Sequence, residues 1–211
     1  MDDLTNGSSI LLSAGAGNCR IYVTDCETSQ SFMSLSGHSR PIHTLYTWGG
    51  ATFASGSEDR TIRMWDMRSR DCFNLISCPT ISRNRSGGAV TAIAVDPSGR
   101  LLVSGHEDST CMLYDIRAGR VIQTFKPHSA DVRTIRFSSK AYYLLTGGFD
   151  NRLVLSNLQG DLTQPIQSVE VATHDDKIIS ARWHPSDLTF ISASADKTVA
   201  LWTLQDYSQL S

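Results

Sequence analysis

The chain has 211 residues, is 40% apolar and carries a formal net charge of −2. That supplies enough apolar material for a sizeable core, and it lacks the clustered Lys and Arg surplus of a nucleic-acid binder. No stretch reaches 18 continuous apolar residues, so no membrane-spanning helix is predicted.

The opening Met1-Asp2-Asp3 is acidic where a secretory leader is basic, which predicts an intracellular, cytoplasmic chain. Residues 1–8 are polar and are expected to form a disordered N-terminal segment. From residue 9 to residue 204 the chain reads as short apolar runs separated by turn formers such as Asp96-Pro97-Ser98-Gly99 and His184-Pro185-Ser186-Asp187. No convincing amphipathic helix interrupts them. Residues 205–211 form a polar tail.

These runs repeat. Ser55 to Asp66, Ser104 to Asp115, Thr146 to Asn157 and Ser192 to Thr203 align position by position, and a weaker copy covers Ser13 to Asp25. Their turn residues, Asn18, Asp59, Asp108, Asp150 and Asp196, lie 41, 49, 42 and 46 residues apart. Each copy reads as up to four strands, with inner-strand apolar residues such as Ile42 and Leu45, Val90 and Ile93, Val132 and Ile135, and Ile178 and Ala181. A period of this length made of four strands predicts an all-β propeller of about five blades. Their limits are roughly 9–36, 37–78, 86–125, 128–171 and 174–204. The first lacks its inner strand and the last its outer strand, which predicts part of a larger, seven-bladed ring.

One polar set recurs with the repeat: His38, Ser55 and Asp59; His128, Thr146 and Asp150; His174, Ser192 and Asp196. A hydrolase triad uses the same residue types. An active site is needed once, however, and this set appears three times. It is partly degraded elsewhere: Ser104 and Asp108 persist in the third copy, where Ser86 stands at the His position. Trp65 and Trp202 follow the Asp by six residues in two copies, whereas Tyr114 and Ser156 replace them in the others. A buried carboxylate needs donors, and His, hydroxyl and indole together complete a satisfied network.

With these residues the chain resembles the WD-repeat family, whose blades carry a buried Asp–His–Ser/Thr–Trp hydrogen-bonded tetrad. The segments Asp96 to Arg117, His128 to Arg133, Leu158 to Thr163 and Ser194 to Thr203 are similar, more narrowly, to the C-terminal propeller of the nemitin family. That resemblance implies a non-enzymatic, cytoskeleton-associated scaffold that binds microtubule-associated proteins, with no cofactor, metal, membrane, nucleic acid or small-molecule substrate of its own. The competing expectation is an adaptor subunit of a ubiquitin-ligase, RNA-processing or chromatin complex, because a fold alone does not fix function.

The loops carrying the repeated His and Asp are expected on one rim. Arg40, Arg60, Arg85, Phe149, Arg152 and Lys197 are the candidate partner-binding residues there, since arginines and exposed aromatics are enriched at interface hot spots. The longer connection between Trp65 and Val90 carries Cys72, Cys78, Arg83 and Arg85. The five cysteines, Cys19, Cys26, Cys72, Cys78 and Cys111, form no C-x-x-C pair and are predicted to be buried free thiols.

Overall fold

The computed structural model describes residues 9–15, 17–78, 88–140 and 142–204. Among these, every regular element is a β-strand, and the strands form five antiparallel sheets. The predicted N-terminal segment, the tail, Arg83, Arg85 and Ser86 lie outside the described residues. The described residues fall into two compact units, divided between Ile93 and Ala94.

In the first unit, β1 (Ile10–Ala14), β2 (Arg20–Asp25) and β3 (Gln30–Ser36) form a three-stranded sheet. Next, β4 (Ile42–Thr47), β5 (Thr52–Ser57), β6 (Thr61–Asp66) and β7 (Asp71–Ser77) form a four-stranded one. Ile21, Leu35, Ile42, Phe53 and Trp65 bury together from both sheets. Phe53 and Trp65 are cross-strand partners, stacked with ring centroids 6.2 Å apart. Removing either ring from water contributes about 1.5–3 kcal/mol.

The third sheet, β8 (Val90–Val95), β9 (Leu101–His106), β10 (Cys111–Asp115) and β11 (Arg120–Phe125), begins at the boundary. It is followed in the second unit by β12 (Val132–Phe137), β13 (Tyr143–Gly148), β14 (Arg152–Asn157) and β15 (Ser168–Thr173), and then by the three-stranded sheet β16 (Ile178–Trp183), β17 (Thr189–Ser194) and β18 (Val199–Thr203). β15 ends at Thr173 rather than at the expected 171, because Thr173 still pairs with Arg152.

Within the second unit β12 packs against β9 and β16, so successive sheets stack face on face. Leu145, Leu153, Ala172, Ile178, Ala181 and Phe190 bury between the last two sheets. Two hydrogen bonds cross the same gap: Ala181 N–H donates to Thr134 Oγ1 at 3.2 Å, and Trp183 Nε1–H to the Arg136 carbonyl at 3.1 Å. The stacking is tight enough to require glycine. A Cβ at Gly105 would stand 2.6 Å from Val132 Cγ1, and one at Gly147 only 2.8 Å from Ile178 Cγ2.

The innermost strand of the second, fourth and fifth sheets carries a bulge at its second residue, His43, Arg133 and Ile179 respectively. A bulge leaves its extra residue unpaired and re-aims the side chain. All three side chains are exposed.

Candidate functional site

Each repeat turns between its middle strands on the same chemistry. The residue after the recurring Asp or Asn takes a left-handed backbone: Cys19, Arg60, Ser109, Asn151 and Lys197 have φ between 57° and 71°. A type I turn closed by such a residue is a standard hairpin connection. The Asp or Asn side chain fixes it by accepting the next N–H but one, from Arg20 to Asn18 (3.2 Å), Thr61 to Asp59 (2.9 Å), Thr110 to Asp108 (3.1 Å), Arg152 to Asp150 (3.4 Å) and Thr198 to Asp196 (2.8 Å).

In three repeats the same carboxylate also ties the turn to the loop before the innermost strand. It accepts the backbone N–H of Ser39 (3.1 Å), Ser129 (2.9 Å) or Asp175 (3.2 Å). It then takes the imidazole Nδ1–H of His38 (2.8 Å), His128 (2.9 Å) or His174 (2.9 Å). The other ring nitrogen, Nε2, stands 2.7 Å from Ser55 Oγ, 2.9 Å from Thr146 Oγ1 and 2.7 Å from Ser192 Oγ. Trp65 and Trp202 each donate Nε1–H to the serine at 2.8 Å.

A carboxylate accepts, so Nδ1 holds the imidazole proton and Nε2 accepts from the hydroxyl. The result is a directed chain: indole to hydroxyl to imidazole to carboxylate. Burial pushes the His38 and His128 imidazoles below the usual 6.5, although their aspartates pull the other way. Burial tends to raise Asp59, but hydrogen bonds from Thr61, His38 and Ser39 outweigh it and hold the carboxyl at about 2. Neutral imidazole beside an ionised carboxylate leaves no atom of the chain short of a partner.

The geometry matches a Ser–His–Asp triad in connectivity, yet the nucleophile position is closed. Ser55 and Thr146 are 0% exposed and Ser192 is 1% exposed. Their oxygens are engaged by imidazole and indole or, for Thr146, by imidazole at 2.9 Å, with the Val154 carbonyl at 3.3 Å as the competing acceptor for its one proton. A substrate carbonyl needs open space within about 3 Å of that oxygen.

The third repeat solves the same problem differently. Ser104 Oγ pairs with Nε2 of His106, two residues along its own strand, at 3.0 Å. His106 is buried and supplies the imidazole from within β9. The repeat alignment hides it, because its counterparts in the second and fifth repeats are Ser57 and Ser194. The signal was a lone histidine in an apolar strand.

The rim candidates separate on inspection. Arg40 is exposed and pairs with Glu58 at 2.9 Å, and Arg152 pairs with Glu170 at 3.3 Å. Arg60 and Lys197 occupy the left-handed turn positions and are exposed. Phe149 is half-buried, with Arg133 Cζ 5.1 Å and Lys177 Nζ 4.9 Å from its ring centroid. Neither cation stood out in the sequence. Cysteine placement corrects an expectation: all five are free, but only Cys111 is buried, while Cys26 is exposed and Cys19, Cys72 and Cys78 are half-buried. Cys26 lies in the exposed turn between β2 and β3.

Comparison with known proteins agrees with this architecture. The family model of the nucleolar protein 10-like N-terminal domain, a β-propeller, matches residues 8–205. The target of rapamycin complex subunit LST8 of Mus musculus is 22% identical over 98% of this chain and 63% of that protein. Guanine nucleotide-binding protein subunit beta-5b of Danio rerio is 29% identical over 92% of the chain and 47% of its own length. THO complex subunit 6 of Arabidopsis thaliana is 28% identical, covering 83% and 45%. The chain thus spans less than two thirds of each of these relatives. Five repeated antiparallel sheets, the buried polar chains at their turns and the matched family model identify the chain as a WD-repeat β-propeller of the nucleolar protein 10-like N-terminal family.

Proposed function

We propose that the chain is a non-enzymatic scaffold, an adaptor subunit that presents exposed loop side chains to other proteins of a stable complex. The observation that carries this reading is the closure of the polar chains: the hydroxyls of the repeated His–Ser/Thr–Asp sets, Ser55, Thr146 and Ser192, are buried and bonded. The names of the relatives support it, since all three are subunits of larger assemblies. The family is named for a nucleolar protein, which adds the nucleus to the cytoplasm as a compartment to examine.

A second reading, a cytoplasmic scaffold for microtubule-associated proteins, rests on the resemblance of the segment around Cys111-Met-Leu-Tyr-Asp-Ile-Arg117 to the nemitin family. Affinity capture of the tagged chain, with subunit stoichiometry read by quantitative mass spectrometry, separates the two. Stoichiometric recovery of a defined assembly supports the adaptor, and recovery of microtubule-binding proteins supports the second reading. Capture of nothing beyond chaperones defeats both. A serine-reactive fluorophosphonate that labels native Ser55 or Ser192 defeats the non-enzymatic part.

A further inference from the structure

We propose that Arg133, Phe149 and Lys177 form a receiving site for a single acidic side chain, carboxylate or phosphoryl, of a partner polypeptide. This rests on the scaffold reading and names the chemistry of its contact.

Three elements converge there. Arg133 is the bulged second residue of β12, so it projects from the sheet rather than pairing within it. Phe149 follows β13 directly and is pinned by its N–H to the Asp131 carbonyl at 2.9 Å. Lys177 precedes β16 in the next repeat, and its carbonyl holds Ala195 N–H of that same repeat at 2.9 Å. Both cations lie over one ring, which attracts each only weakly at an exposed site.

The repeat shows what is missing. At the position of Phe149 the second repeat has Glu58, whose carboxylate neutralises Arg40 at 2.9 Å. Phe149 carries no charge, and among the described residues neither Arg133 nor Lys177 has an ion pair. The nearest acidic side chain in sequence, Asp176, instead accepts the backbone N–H of Lys177 at 2.7 Å. Each cation is thus left with the ring as its neighbour in place of a carboxylate, and an incoming anion gains charge-assisted hydrogen bonds from them. Asp131, Asp175 and Asp176 accompany the site along the chain. A polyanion would meet these carboxylates, whereas a single acidic side chain need not.

The test uses the full chain and fluorescence anisotropy. The probes are a fluorescein-labelled glutamate–glycine peptide, its phosphoserine–glycine and glutamine–glycine counterparts, and a single-stranded oligouridylate. The glutamate or the phosphoserine peptide is expected to bind and the glutamine peptide not, with the stronger of the two naming the source of the anion. Arg133→Ala and Lys177→Ala should each weaken binding about tenfold. Phe149→Ala should weaken it too, Arg133→Lys should largely retain it, and Lys140→Ala, an exposed cation away from the site, should leave it unchanged. Equal binding of the glutamine peptide, full affinity in the Arg133→Ala/Lys177→Ala double variant, or preference for the oligouridylate overturns the proposal. If the wild-type chain captures a stoichiometric assembly that the double variant captures equally, the site fails and the scaffold reading stands. If the acidic peptide binds through these residues but no protein is captured, the site stands and the scaffold reading fails.

Discussion

Replacing Asp59 by alanine removes four hydrogen bonds at once, from His38 Nδ1–H, Ser39 N–H, Thr61 N–H and Thr61 Oγ1–H. They do not weigh equally. Ser39 is exposed and Thr61 half-buried, so their donors can turn to water at little cost. His38 cannot, since its side chain is wholly enclosed and keeps only a long contact to Thr61 Oγ1 at 3.3 Å. Leaving one buried donor unsatisfied costs about 1–3 kcal/mol. A central loss of about 2 kcal/mol lowers the Tm of a chain of this length by roughly 4–8 °C. Asp59→Asn keeps a carbonyl oxygen for one of these donors and should fall between wild type and alanine. The assay is thermal unfolding followed by circular dichroism, with the urea midpoint as an independent readout. An Asp59→Ala chain with the Tm and urea midpoint of wild type would refute the assignment of this network to stability.

The remaining predictions concern protons, packing and thiols. Folding holds His38 and His128 neutral, so below their usual 6.5 the unfolded chain binds more protons and stability falls as pH drops. Asp59, held at about 2 against a usual 3.8, adds a second loss as pH falls from about 4 toward 2. Tm measured from pH 8 downward should therefore decline first between about 7 and 5, and a flat profile there contradicts the buried neutral imidazoles. Gly147→Ala forces a methyl against Ile178 and Thr134 and should destabilise by about 1–3 kcal/mol, read by chemical denaturation. Burial pushes the Cys111 thiol far up. Alkylation of the native chain should thus modify exposed Cys26 first and Cys111 only on unfolding, as peptide mapping can show.

The fold was legible because its determinants are local and repeated. An Asp at the turn, a hydroxyl four residues earlier and apolar runs on either side recur often enough to align without help. The His–Ser–Asp chains were legible for the same reason. What escaped was every departure from the repeat. His106 takes over in the third repeat from within the strand, at a position where the second and fifth repeats have serine. Arg133 and Lys177 look like ordinary solvent-facing residues at the start of innermost strands, and only the stacking of neighbouring sheets brings them to Phe149. The exposure of Cys26 likewise follows from its place in the turn between β2 and β3, which residue type alone does not encode.

The account stands on the polar chains being closed structural networks rather than open reactive sites, and long-range ¹H–¹⁵N spectra of the histidine side chains test that most directly. At neutral pH His38 and His128 should each show a single neutral imidazole protonated at Nδ1, and on acidification each Nε2 should take its proton below the usual 6.5. Rings that interconvert between tautomers and titrate near the usual 6.5 would contradict it.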